Sequence, residues 1–158
     1  MLVVKSARKW WILFGTYEKT IDSKNRVIIP SKFRKVLGSV CYASLGPDNA
    51  LEIRGEKSFS SWSEKMLANN MLNKNARAFA RIILGNTAKL EPDSQGRVLL
   101  PANLLKKVTI TNEVIFVGVG NKIELWSASK YENFQKQFEG EDDVETLAKK
   151  LLDDGAEY

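Results

Sequence analysis

The chain repeats itself, and a repeat narrows the available folds more than any single residue can. Asp22-Ser23-Lys24-Asn25-Arg26-Val27-Ile28-Ile29-Pro30 returns as Asp93-Ser94-Gln95-Gly96-Arg97-Val98-Leu99-Leu100-Pro101. Five of the nine positions are identical and two more exchange Ile for Leu. The match continues downstream with one inserted residue. Leu51-Glu52-Ile53 corresponds to Ile123-Glu124-Leu125, and Phe59 and Trp62 correspond to Tyr131 and Phe134. Because order, spacing and chemistry all persist, the chain is read as two copies of one unit of about 45 residues.

Each copy carries the same local signals. A strand-like stretch (16–21, then 87–90) leads into Asp-Ser-x-[Asn/Gly]-Arg. Asp and Ser initiate turns, and Asn25 and Gly96 are the residue types that best tolerate positive φ. The repeat thus keeps a backbone conformation at a position where it changes the side chain. A hairpin is expected to follow, with Arg opening the returning strand Val27-Ile28-Ile29 or Val98-Leu99-Leu100. Proline then ends strand pairing and suits the first turn of a short helix. Those helices are expected at 31–37, closed by Gly38, and at 102–108. Two further hairpins pair 40–45 with 50–54 and 114–119 with 122–126, the latter across the turn signal Gly120-Asn121. Helices are expected at 58–72, with Phe59, Trp62, Met66 and Leu67 on one face, and at 75–84, with Ala76, Phe79, Ala80 and Ile83 together. Arg77 and Arg81 lie one turn apart on another face. Helices at 129–138 and 144–152 close the chain, with Leu147, Leu151 and Leu152 along the last one's apolar stripe.

Composition limits the chemistry. The 158 residues include no histidine and one cysteine, which removes the commonest general base, the commonest metal ligand and any internal disulfide. No metal site and no cofactor are expected, and Cys41 reads as a small buried thiol. The glycine turns Gly118-Val119-Gly120 and Gly46-Pro47 lack a following Lys-Ser/Thr, so no phosphate-binding loop is present. Each repeat offers one turn aspartate rather than a carboxylate pair, and no enzymatic activity is expected. No apolar run approaches the roughly 20 residues that span a bilayer. The apolar stretch near the N-terminus is short for a secretion signal, and the chain is read as cytoplasmic.

Charge is unevenly spread. Residues 1–35 hold nine Lys/Arg and two Asp/Glu, whereas 139–158 hold two Lys and eight acids. A basic body with an acidic terminus suits a polyanionic partner or a solubilising surface. The Asp-x-x-x-Arg segment also has two open readings. In one, the Asp accepts bonds from its own backbone and the arginine is exposed or paired to a carboxylate. In the other, a tight turn presents Lys24 and Arg26, or Gln95 and Arg97, to a nucleic acid. Arginine's planar fork matches phosphate or the O6/N7 edge of guanine, and a two-stranded ribbon fits the major groove. Trp62 and Trp126 are read as packing residues. Trp10-Trp11, beside Arg8 and Lys9, is open between a partner contact and strand extension.

The duplicated motif, each copy followed by a short helix and a Leu-Glu-Ile-type strand, resembles the MraZ family of bacterial transcription regulators, related to AbrB and SpoVT domains and associated with the division and cell-wall gene cluster. The resemblance runs from about Leu13 to the C-terminal helix, and Arg77-Ala78-Phe79-Ala80-Arg81-Ile82-Ile83-Leu84-Gly85 is similar to the family's segment before the second unit. It implies an α+β fold in which two tandem β-β-α-β-β-α units form a swapped-hairpin β-barrel within one chain, helices outside. The units fall at 13–58 and 86–130, separated by a helical connector at 59–85. An N-terminal extension occupies 1–12, and C-terminal helices with the acidic tail occupy 131–158. The resemblance further implies a ring-shaped homo-oligomer, nucleoid-associated, that binds promoter direct repeats in double-stranded DNA. Lys24, Arg26 and Arg97 are the implied DNA contacts, while Asp22, Asn25, Asp93 and Gly96 set the turn geometry. Gln95 departs from the motif, standing where the first unit has Lys24. The rival expectation is a structural assembly protein, or an adaptor or antitoxin, whose motif arginines form inter-subunit ion pairs. Glu141-Asp142-Asp143 would be one source of such acids.

Overall fold

A computed structural model describes residues 12–69, 71–140 and 143–156. The chain divides into two compact units, Met1–Ser127 and Ala128–Tyr158.

In the first unit, each repeat contributes two strands, a short helix and two more strands, and the first repeat adds a longer helix. The first copy supplies β1 (Leu13–Thr20), β2 (Arg26–Ile28), α1 (Ser31–Leu37), β3 (Cys41–Leu45), β4 (Leu51–Gly55) and α2 (Glu56–Leu67). After α3 (Lys74–Gly85) come β5 (Ala88–Leu90), β6 (Arg97–Leu99), α4 (Ala102–Lys107), β7 (Glu113–Gly120) and β8 (Ile123–Ser127). The short helices start where proline removes a strand donor, and Pro30 and Pro101 are their N-cap residues. Gly38 closes α1 in the left-handed region, as expected.

The strands pair between repeats as much as within them. One six-stranded sheet has the order β1-β7-β8-β4-β3-β5, and β2 and β6 form a separate ribbon. The first strand of each repeat lies antiparallel on the third strand of the other: β1 on β7, β5 on β3. Equivalent residues meet where the repeats face each other, Val27 opposite Val98 and Glu52 opposite Glu124. An internal two-fold relation therefore runs through both places. Val27, Phe33, Leu51, Val98, Leu104, Phe116 and their neighbours fill the core between the strands and the short helices.

Two expectations are corrected. No closed barrel is found among the described residues, since β1 and β5 end the six-stranded order. The expected hairpin between each first strand and its own returning strand is not the ladder that forms, because β2 pairs with β6 instead. The cause is local. Asn25 (φ 60) and Gly96 (φ 80) turn the chain sharply, and the three residues that follow carry their pairing to the other repeat. Two side chains are also placed differently: Phe79 and Leu67 are exposed, because α3 buries Ala80 and Ile83 and α2 buries Met66. Cys41 is fully buried, and desolvation pushes its thiol up to about 12, the inert state expected. Trp126 is buried, and Trp62 lies over the Arg54 guanidinium at 4.0 Å from the ring centre. Both are the packing roles expected of them. Trp10 and Trp11 lie outside the described residues.

Where Glu52 faces Glu124, like charges would repel across the strands. Each has its own solution. Glu52 accepts from Arg54 Nη2 at 2.9 Å and from Lys122 Nζ at 2.6 Å, whereas Glu124 accepts from Trp126 Nε1 at 3.2 Å. Glu52 and Arg54 are each only 4% exposed. Gly118 serves a different need, since β1 crosses β7 so closely that a Cβ there would stand 2.7 Å from the Leu13 carbonyl carbon and the Phe14 Cα.

In the second unit, Tyr131 and Phe134 stack on α5 (Ala128–Gln137), and Phe138, just past its end, packs tilted against Phe134. In α6 (Val144–Asp153), Asp143 caps the first turn by accepting from Thr146 N at 3.0 Å. Among the described residues, no helix is long and apolar enough to cross a membrane.

Two stability outcomes follow from these contacts. Glu52→Ala leaves Arg54 buried without its carboxylate and should cost about 3–5 kcal/mol in urea unfolding; a loss below 1 kcal/mol would show that the buried network contributes little. Gly118→Ala should cost roughly 1–3 kcal/mol by forcing β1 off β7, and an unchanged midpoint would contradict the close crossing.

Candidate nucleic-acid interface

The conserved-looking element of the repeat is a five-residue turn with nearly the same geometry in both copies. Asp22 organises the first. Its Oδ1 accepts from the backbone N–H of Lys24 and of Arg26, both at 2.9 Å, and its Oδ2 accepts from Arg26 Nε at 2.8 Å. Asp22 N donates to Arg26 O at 2.9 Å and Asn25 N donates to Asp22 O at 3.1 Å. Asp93 does the same in the second copy, with Gln95 N at 2.9 Å, Arg97 N at 3.0 Å and Arg97 Nε at 2.8 Å. One carboxylate thus satisfies two backbone donors that a tight turn would leave open and also grips the arginine.

The two turns are fastened to each other. Ile29 N donates to Gly96 O at 3.0 Å, and Leu100 N donates to Asn25 O at 2.9 Å. The residue in the left-handed conformation in each turn therefore offers its carbonyl to the other repeat. With Val27 and Val98 pointing into the core, alternation sends Arg26, Ile28, Arg97 and Leu99 to the opposite face of the ribbon. Arg26 stands opposite Leu99, and Ile28 opposite Arg97. Ile28 and Leu99 are 42% and 63% exposed, and the arginine side chains 31% each.

The structure shows the first reading of the motif, an aspartate that accepts from its own backbone and pairs with the arginine. Each guanidinium is paired to its own turn carboxylate, but through Nε alone. A guanidinium has five N–H donors, and among the described residues the Nη atoms of Arg26 and Arg97 have no partner. The aspartate sets the angle of the fork and leaves its outer edge open. Lys24 is exposed, with its side chain unpaired among the described residues. Gln95 is exposed at the matching place. Asp22, Asn25, Asp93 and Gly96 all lie within the two turns, the aspartates as acceptors and Asn25 and Gly96 at positive φ.

One cation escapes a reading of the motif alone. Arg34, on α1 of the first repeat, lays its guanidinium on Gly96 of the second repeat's turn. The sequence holds a faint sign of it, because of the two residue types that suit this positive φ the second copy uses the one without a side chain. Among the described residues, no group of three His, Cys, Asp or Glu is arranged to hold a metal ion. Of the acidic triplet, Glu141 and Asp142 lie outside the described residues, and Asp143 is engaged in capping α6.

Backbone hydrogen bonding from Arg26 holds the Asp22 carboxyl below its ordinary 3.8, and the same bond from Arg97 holds Asp93 down. A carboxylate depressed on folding stabilises above its unfolded value, and that contribution is lost as pH falls through the folded value. The turns should therefore remain formed across neutral and mildly acidic pH and loosen only below 3.8. Carbon-13 titration of the two side-chain carboxyls should give midpoints under that value, and ordinary midpoints would contradict the network.

The family model described as "MraZ protein, putative antitoxin-like" matches this chain twice, at residues 12–82 and 83–154. A protein of Mycoplasma mobile named "Transcriptional regulator MraZ" is 46% identical over 144 residues, covering 91% of this chain and 99% of the relative. One of the same name from Mycoplasmopsis pulmonis is 42% identical, covering 92% and 99%. Another, from Caldanaerobacter subterraneus subsp. tengcongensis, is 41% identical over 125 residues, covering 79% and 87%.

Proposed function

Because this chain belongs to the MraZ family, we propose that it is a transcription regulator that reads double-stranded DNA with the outer face of its β2–β6 ribbon. The observation that carries the reading is the pair of guanidinium groups, each gripped at Nε and open at Nη, fixed on one face by two mutually bonded turns. A fork held in this way loses little further freedom on meeting a base or phosphate. The aliphatic neighbours suit the same target, because the major groove offers guanine O6/N7 acceptors and thymine methyl groups side by side. Arg26 and Arg97 are the base-reading contacts and Lys24 an added contact at the first turn.

In this reading the protein is a cytoplasmic, nucleoid-associated homo-oligomer. A ring of subunits engages short direct repeats upstream of the division and cell-wall gene cluster. The units 13–58 and 86–130 are the halves of one DNA-reading module, with 59–85 as connector and 131–158 as a C-terminal appendage. The exchange of first strands between repeats supports a swapped-hairpin arrangement. No catalytic step and no cofactor belong to this function.

Arg26→Ala and Arg97→Ala should each weaken binding to the DNA upstream of the chain's own gene by roughly 1–3 kcal/mol per engaged subunit, measured by gel shift on folded protein. Binding by both variants at wild-type strength would sink the proposal. A sizing column run alongside separates the rival: variants that lose the oligomer but keep DNA binding favour an assembly role with inter-subunit ion pairs. Copurification of a second protein would favour the adaptor or antitoxin role.

A further inference from the structure

The two turns are not equally charged by their own residues. The first has Lys24 and Arg26, and the second has Gln95 and Arg97. Arg34 restores the balance from outside the motif. A Cβ built on Gly96 would fall within the Arg34 guanidinium and only 2.7 Å from its Cδ. Arg34 thus fills the space that a side chain at position 96 would need, and Gly96 is buried beneath it. Its Nε is buried without a partner, and Nη1 and Nη2 have no partner among the described residues. Four residues beyond the proline in each copy stand Arg34 and Leu105, and Leu105 is buried. The first turn therefore receives no such visitor.

We propose that Arg34, reaching across the repeat boundary onto Gly96, is the second turn's phosphate contact and replaces the lysine which that turn lacks. The inference rests on the DNA-binding reading above. A phosphate is the fitting target on three grounds. Arg34 comes from the helix flanking the ribbon rather than from its base-facing side. Exposed Lys32 and Lys35 share its helix. With Nε buried, the Nη atoms are the donors left to close on anionic oxygens. Each turn would then hold two cations, one on the ribbon face and one beside it, and the glycine in the second copy is the condition for this.

The test is a salt titration of DNA binding by fluorescence anisotropy, using a duplex of the DNA upstream of the chain's own gene. Arg34→Ala should weaken binding roughly tenfold at fixed salt. It should also lower the slope of log K against log salt by about 0.9 per engaged subunit. Arg34→Lys should keep the slope, since a charge remains. Gly96→Asn installs the first turn's own residue, which tolerates the positive φ, but it displaces the guanidinium. That variant should weaken binding as Arg34→Ala does, and the double variant should add nothing further. A folded Arg34→Ala protein with wild-type affinity and slope overturns the proposal, and so does a loss of affinity with the slope unchanged. If Arg34→Ala does not fold, Arg34→Lys and Gly96→Asn decide by the same slope. Arg26→Ala and Arg97→Ala in the same assay separate the two levels. If those bind as wild type, or if the wild-type chain ignores the duplex, the DNA reading itself fails; if only the Arg34 results fail, that reading stands.

Discussion

Self-pairing governs this fold. When equivalent residues of a duplicated unit meet across an internal two-fold relation, each meets its own chemistry. For valine this is useful: Val27 against Val98 closes the ribbon over the core. For glutamate it is costly, because two carboxylates opposite each other in a low-dielectric sheet repel. The two copies therefore differ where they touch. Glu52 is surrounded by Arg54 and Lys122, whereas Glu124 turns to a tryptophan N–H. Gly96 opposite Arg34, against Asn25 and Leu105 in the other copy, shows the same divergence at the turns. The symmetry is kept in the backbone and broken in the side chains that lie near the axis.

The same pairing makes the turns stiff. An isolated five-residue turn would be held by its own aspartate and little else. Here each left-handed residue also gives its carbonyl to the opposite repeat, so moving one turn disturbs the other. Rigidity matters for a recognition surface because every rotor frozen beforehand is one less to freeze on binding. The exposed Asp–Arg pair contributes little to stability by itself. Its effect is on orientation, since it fixes Nε and leaves the Nη edge open.

Much of this was legible in the residues. The repeat locates both turns to the residue, and the Asn/Gly exchange signals the positive φ found at 25 and 96. Proline placed the starts of α1 and α4 within one position. The strand partner was not legible. Alternation shows which side of a strand is buried, but it is silent on whether the neighbour comes from the same repeat or the other. The hairpin expected between β1 and β2 is the local solution, and the long-range one was adopted. Spacing groups Phe79 with Ala76, Ala80 and Ile83. That spacing fits α3's helical period, yet the buried stripe is centred on Ala80 and Ile83.

By itself the sequence determined the duplication, the turn conformation, the proline-started helices and the lack of histidine and paired cysteine, because these depend on residue type and neighbours along the chain. Only tertiary structure decided which strands exchange, that the ladder stops at β1 and β5, and that Arg34 rests on a glycine sixty-two residues away. Those outcomes depend on distances through space, and contacts across a two-fold relation leave almost no trace in linear order.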